Sequence, residues 1–133
     1  MAVPEVTASV RSFVTTHLRA LEDLQLLVLL VQSDDRWWDA ETASRELLIP
    51  LRSARAALDR LATQNLLDIR ITGDVRYQFR PGTEQLRQAA VASCETYRSN
   101  PLALTTLVSG AARRGLKDFA DAFRIRKDDD DAR

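Results

Sequence analysis

The spacing of apolar and polar positions divides the chain into helical stretches and one pair of strands. Apolar residues recur every three or four positions from Val6 to Leu18, which predicts an N-terminal helix. They continue so densely from Leu21 to Val31 that this second helix should be buried nearly all round and should end near Ser33. Asp39 is a good N-cap for a short third helix over about Ala40 to Leu48.

The second half of the chain begins with a tight corner at Pro50, which favours an extended residue before it. A fourth helix is predicted over about 51–64, with its apolar side formed by Ala54, Ala57, Leu58, Leu61 and Ala62. Apolar and polar residues then alternate with a period of two on either side of Gly73-Asp74, which predicts a β-hairpin over about 68–80. Thr83 should cap a helix that runs to about Arg98, and Asn100-Pro101 should separate it from further helical sequence.

The order of these elements, with a short aromatic strand at Trp37-Trp38 before the third helix, resembles the winged helix-turn-helix of bacterial transcriptional regulators, in the MarR-like and ArsR-like superfamily. Residues 39–67 are similar to the two-helix unit, and Asn65-Leu66-Leu67 stands where relatives carry Gly-Leu-Leu or Gly-Leu-Val. Asn is the next-best residue for a left-handed C-cap. The likeness covers about residues 20–82, but Pro50-Leu51 replaces the usual Ser-Pro, so the hydroxyl cap is missing.

The resemblance implies a mainly α fold with a small β-hairpin wing and additional N- and C-terminal helices. The 133 residues are expected to form one domain over 1–127, with the core at about 20–82 and C-terminal helices at about 83–127. The acidic tail 128–133 is expected to be disordered. The lone Cys94, the lack of a leader and the shortness of the apolar run Leu24–Val31 predict a cytoplasmic protein without a membrane span.

Charge is zero overall but uneven, because residues 50–80 hold six arginines and three aspartates. The resemblance implies that the fourth helix enters the major groove of double-stranded DNA and that the wing meets the flanking backbone or minor groove. The predicted contacts are Arg52, Ser53 and Arg55 on base edges, Arg60 on phosphate, and Arg70 and Arg76 from the wing. The plainer interpretation is that these residues form a solvated surface.

A winged-helix module that binds protein rather than DNA is the alternative. It is favoured by the zero net charge, the three aspartates in the basic stretch and the apolar run Leu102–Val108. The two functions predict different surfaces. A continuous positive band from the fourth helix to the hairpin favours DNA, whereas an apolar patch with an acidic rim favours a protein partner.

No catalytic or cofactor-binding set is evident, and an enzyme is not expected. There is one histidine, His17, and neither it nor Cys94 stands in a recognised metal-ligand spacing. The four aspartates at 128–131 lack the glycine and terminal glutamate of a calcium loop. The two tryptophans could form an aromatic ligand surface, but one in the core and one half covered is the expected structural use.

The C-terminal stretch from Arg113 to Lys127 is basic and has apolar residues at helical spacing, namely Leu116, Phe119, Ala120 and Phe123. Pairing with a second copy is the preferred interpretation, because a dimer presents two DNA-binding helices and so doubles the contact with a palindromic site. Contact with DNA backbone, docking to another protein and packing on its own domain are the alternatives.

Overall fold

The structure is a computed structural model in which residues 6–110 are described. These residues form a mainly helical fold with one two-stranded antiparallel hairpin, in the order that the sequence predicts. The helices are α1 (Ala8–His17), α2 (Leu21–Gln32), α3 (Ala40–Leu47), α4 (Leu51–Thr63) and α5 (Glu84–Ser99), with strands β1 (Leu67–Thr72) and β2 (Asp74–Phe79). Residues 101–110 are also helical and are called α6.

Several helix ends follow from short-range hydrogen bonds that the sequence predicts. Asp39 Oδ1 accepts from the Thr42 amide over 2.7 Å at the start of α3. Thr83 Oγ1 accepts from the Leu86 amide over 3.1 Å at the start of α5. Asn65 takes a left-handed conformation (φ 64°) between α4 and β1. These predicted caps and the predicted exit from α4 are therefore confirmed.

The apolar core is built around α2, whose Leu24, Leu26, Leu27 and Leu30 are completely buried. This helix packs against α3, α4, β2 and α5, while α1 packs against α5. Leu104 and Val108 of α6 belong to the same cluster of buried side chains as α1 and α2. The described residues thus share one core. The expected domain end at residue 127, the acidic tail and the basic stretch from Arg113 lie outside the described residues.

Trp38 adds a short third strand position to the hairpin. Its amide donates to the Tyr77 carbonyl over 2.7 Å and its carbonyl accepts from the Tyr77 amide over 2.8 Å. Trp38 is buried in the core, whereas Trp37 is half-buried. This arrangement confirms the predicted strand and the structural use of the aromatic pair, and it attaches the start of α3 to β2.

The corner between α3 and α4 departs slightly from the prediction. Helix α3 ends at Leu47, and Leu48 adopts a left-handed conformation with φ 55° and ψ 45°. The Leu48 side chain is 90% exposed, so neither core packing nor burial compensates for this conformation. A positive φ in a non-glycine residue is uncommon, and here it belongs to the turn between α3 and α4, which pack against each other.

None of the described helices has the length and apolar character needed to cross a membrane.

Candidate functional site

The outer face of α4 carries exposed basic residues of the predicted site. Ala54, Ala57, Leu58 and Leu61 bury the inner face of the helix in the core. On the opposite side Arg52 and Arg55 are exposed and Ser53 is half-buried. Within residues 6–110, neither of these two arginines forms an ion pair or a side-chain hydrogen bond. Both guanidinium groups are therefore available to a ligand.

The start of α4 also leaves backbone donors available. Pro50 occupies the N-cap position, and no side chain in the described part of the chain caps the first turn. This confirms the missing cap that the sequence predicts. Free amides and the helix dipole make such an end favourable for anions, and Arg52 and Ser53 stand directly beside it.

Arg60, in contrast, is occupied inside the fold. Its Nη2 donates to Asp23 Oδ1 over 2.7 Å and its Nε donates to the same oxygen over 3.0 Å. Asp23 is completely buried and also accepts from the Arg19 amide over 2.9 Å. The hydrogen bond with Asp23 raises the pKa of Arg60. Its guanidinium thus supports the packing of α4 on α2, and a phosphate contact from Arg60 stays a prediction.

The hairpin arginines do not join those of α4. Arg70 and Arg76 stand directly opposite each other in the strand register, and alternate residues of a strand point to opposite faces. Ile69 and Tyr77 occupy the other face, which is the one that lines a groove with Arg55. The Arg70 Cζ atom lies 5.7 Å from the centre of the Trp37 ring, and Arg76 Nε is 2.9 Å from Asp74 Oδ2. Their predicted DNA contacts remain untested.

A groove of about 610 Å³ separates the hairpin from α3 and α4. Its apolar residues include Ile69, Ile71 and Val75, whose side chains are 43%, 73% and 43% exposed. Four acidic residues line it, namely Asp39, Glu41, Asp59 and Asp74, and Arg55 is the basic residue in its lining. The positive charge of the first turns of α4 therefore does not continue to the hairpin, because this groove interrupts it.

Two of the groove's carboxylates are held in place by hydrogen bonds. Tyr77 Oη donates to Asp59 Oδ1 over 2.6 Å, and burial together with this bond raises the pKa of Tyr77 to about 12. The hydrogen bonds from Thr42 keep the pKa of Asp39 below its usual value. Hydrogen bonds therefore fix the positions of these two carboxylates in the lining of the groove.

The groove is a feature that sequence reasoning missed. Its apolar signal was present in Ile69, Ile71 and Val75, but strict alternation did not show that the hairpin extends beyond the core. Leu67, Phe79 and Tyr77 on this face are buried, whereas Ile69, Ile71 and Val75, nearer the turn, are exposed. Which apolar residues of this face are buried and which are exposed depends on where the hairpin lies relative to α4.

The remaining candidates have structural partners. His17 Nδ1 lies 2.7 Å from Gln64 Oε1, which joins α1 to the end of α4. Cys94 is buried in α5, and burial raises its pKa to about 12. Across residues 6–110, no group of three or more histidine, cysteine or acidic residues is arranged to hold a metal ion.

Comparison with protein-family models, curated proteins and solved structures finds no match to this chain.

Proposed function

We propose that this protein is a winged-helix DNA-binding regulator of the cytoplasm that contacts DNA mainly through the first turns of α4. The observation that carries the proposal is the pair of exposed arginines, Arg52 and Arg55, beside a helix start without a side-chain cap. The order of α2, the Trp38 strand, α3, α4 and the hairpin supports the winged-helix assignment.

The chemistry of DNA fits this helix end. An α-helix fits the major groove, and an arginine can donate two hydrogen bonds to the O6 and N7 atoms of guanine. The free amides at the start of α4 and the Ser53 hydroxyl are suited to a phosphate. Because the inner face of α4 is fixed in the core, these groups are presented on a rigid element.

The hairpin contributes less in this proposal than the resemblance alone implies. Arg76 is paired with Asp74 and Arg80 Nη1 lies 3.5 Å from Asp68 Oδ2, so two basic side chains already have acidic neighbours. Few phosphates would then be neutralised per protomer. We therefore expect a shallow salt dependence, in which log K falls by roughly 0.9 per phosphate contact for each unit of log salt concentration.

Selection from a random double-stranded DNA library, followed by titration at two salt concentrations, tests this function. Arg52→Ala/Arg55→Ala should weaken binding at least about tenfold, since one bidentate arginine–guanine contact is worth about 1–3 kcal/mol. Arg11→Ala/Arg98→Ala is the matched control, because it removes the same charge from exposed positions on α1 and α5. Undetectable binding at about 50 mM salt, or equal losses in the two double variants, would overturn the proposal.

A protein-interaction module is the second candidate. The surface between α4 and the hairpin favours it, because an apolar groove with an acidic rim lies where a continuous positive band would favour DNA, and the DNA proposal therefore rests on the first turns of α4. Exposed apolar side chains within an acidic rim are the pattern expected of a protein contact rather than of a DNA contact. The two surfaces share Arg55 but are otherwise different, so one chain can use both.

A further inference from the structure

The acidic groove between the hairpin and helices α3 and α4 needs an apolar partner. Ile71 and Val75 are a directly opposed cross-strand pair on the groove face, and Ile71 is 73% exposed. Ile69 and the buried Tyr77 form the next pair on the same face. Together they make a continuous apolar strip beside α4, and covering such a strip contributes to binding roughly in proportion to its area.

The acidic residues that line the groove favour a basic partner. Glu41 is exposed on α3, and within the described residues it forms no ion pair. The carboxylates of Asp39 and Asp59 accept hydrogen bonds from an amide and from a phenol, which are neutral groups and leave the negative charge in place. Asp74 forms an ion pair with Arg76, which offsets its negative charge. An occupant of this groove should therefore combine a hydrophobic stripe with several positive charges.

This chain contains such a segment in its own sequence. Between residues 113 and 127 there are six lysines and arginines and two aspartates. Leu116, Phe119, Ala120 and Phe123 recur within it at spacings of three, one and three, which is the pattern of one helical face. The segment lies outside the described residues. Its charge and its apolar residues are complementary to those of the groove.

The position of α6 argues that the segment comes from another copy. Leu102, Ala103 and Leu107 of α6 line a cleft with Val6 and Arg11, beside the start of α1. The groove lies at α3, α4 and the hairpin, and α2 packs between α4 and α5. Packed helices are about 8–10 Å apart, so two helix layers separate these sites by roughly 16–20 Å. The chain from residue 110 to Leu116, the first apolar residue of the segment, spans at most about 20–22 Å when fully extended. This is hardly more than the straight separation, and the chain has to run around the packed helices rather than through them, so the groove of a second copy suits the segment better than its own.

We infer that residues 113–127 of one copy bind the groove between the hairpin and α4 of a second copy, and that the reciprocal contact makes a symmetric dimer. This goes beyond DNA binding and does not depend on it. Such a dimer would bring two α4 helices together through the exchanged terminal segments. The positive charges of residues 113–127 would also offset the acidic residues that line the groove beside Arg55.

Cross-linking between two differently substituted chains tests the contact directly. Ile71→Cys and Phe119→Cys chains are purified separately, mixed and oxidised; the natural Cys94 is retained because it is buried. A disulfide-linked product at twice the mass of one chain should form in the mixture and not with the wild-type protein. Its amount should fall severalfold with Glu41→Lys in the Ile71→Cys chain. Glu46→Lys, an exposed position on the same helix that does not line the groove, should leave it unchanged.

If the linked product does not form in the mixture, or if Glu41→Lys and Glu46→Lys act equally, the inference is wrong. A chain that carries both cysteines and links only within itself would show that the segment occupies its own groove, which also overturns the exchange. Sedimentation equilibrium provides the second readout, because Phe119→Asp/Phe123→Asp should raise the dimer dissociation constant at least about tenfold. DNA is absent from these experiments, so their failure is distinct from failure of the proposed function.

Discussion

Arg60 on α4 and Asp23 on α2 are joined by three hydrogen bonds of 2.7, 3.0 and 3.2 Å, although they are 37 residues apart in the chain. Asp23 is completely buried, whereas the Arg60 side chain is 39% exposed. The ion pair therefore gives a counter-charge to a carboxylate whose other hydrogen bond comes from the neutral Arg19 amide. It also sets Arg60 apart from Arg52 and Arg55, which lie on the same helix but have no such partner among residues 6–110.

Arg60→Ala should destabilise the fold far more than Arg55→Ala. Removing the guanidinium leaves Asp23 buried without its counter-charge, which we expect to lower the free energy of unfolding by about 2 kcal/mol or more. The exposed Arg55→Ala change should stay within about 0.5 kcal/mol. Urea unfolding of both variants measures the difference, and equal midpoints would show that the pair contributes nothing. A cycle with Asp23→Asn would give the coupling between the two residues.

Tyr77→Phe should remove a pH-dependent part of the stability. The pKa of Tyr77 is raised from 10.0 to about 12, chiefly by burial and then by its bond to Asp59. Between these two pH values the folded state keeps the phenol proton that the unfolded chain releases. The stability that the protonated Tyr77 gives to the fold is therefore fully present below pH 10 and is lost as the pH rises through about 12. Urea unfolding at neutral and alkaline pH should show a smaller alkaline loss in Tyr77→Phe than in the wild type. Tyr97→Phe is the control and should retain the wild-type loss.

At neutral pH the same Tyr77→Phe change should cost about 1 kcal/mol, because it removes one hydrogen bond while leaving the ring in place. A variant as stable as the wild type at both pH values would contradict the role given to the Asp59 contact.

Cys94 should react with thiol reagents only when the protein opens. Its side chain is 1% exposed, and burial raises its pKa from 9.0 to about 12. Access and thiolate formation are both restricted, so the reaction at neutral pH should be roughly a thousandfold slower in native protein than in urea. Ellman's reagent measures both rates. Similar rates would place Cys94 at an accessible surface and contradict the packing of α5.

Leu48→Asn should stabilise the corner between α3 and α4. Leucine pays roughly 1 kcal/mol for a left-handed conformation, and asparagine tolerates it better. Little packing is lost, because the Leu48 side chain is 90% exposed. We expect a gain of about 0.5 kcal/mol in thermal or urea unfolding. Leu48→Ala is the matched control, since it removes the same exposed side chain but keeps the conformational cost. A gain of equal size in both variants would show that the turn is not the cause.

Features that depend on neighbours a few residues apart were predicted correctly from the sequence. The caps at Asp39 and Thr83, the uncapped start of α4 at Pro50 and the left-handed Asn65 all follow from hydrogen bonds or steric limits within a few residues. The exposed Arg52 and Arg55 follow from helical periodicity in the same way. DNA contact by these residues remains a proposal, because an exposed arginine does not itself identify its ligand.

The sequence by itself determined the order of helices and strands, because hydrophobic period, proline and glycine positions and capping side chains act locally along the chain. Only the tertiary structure decided that Arg60 has a buried partner on α2 and that the hairpin arginines face away from Arg55. It also brought four carboxylates from α3, α4 and the hairpin to the edge of one apolar groove. These relationships depend on how helices cross and how far the hairpin extends beyond the core, and neither is set by the spacing of residues within a single element.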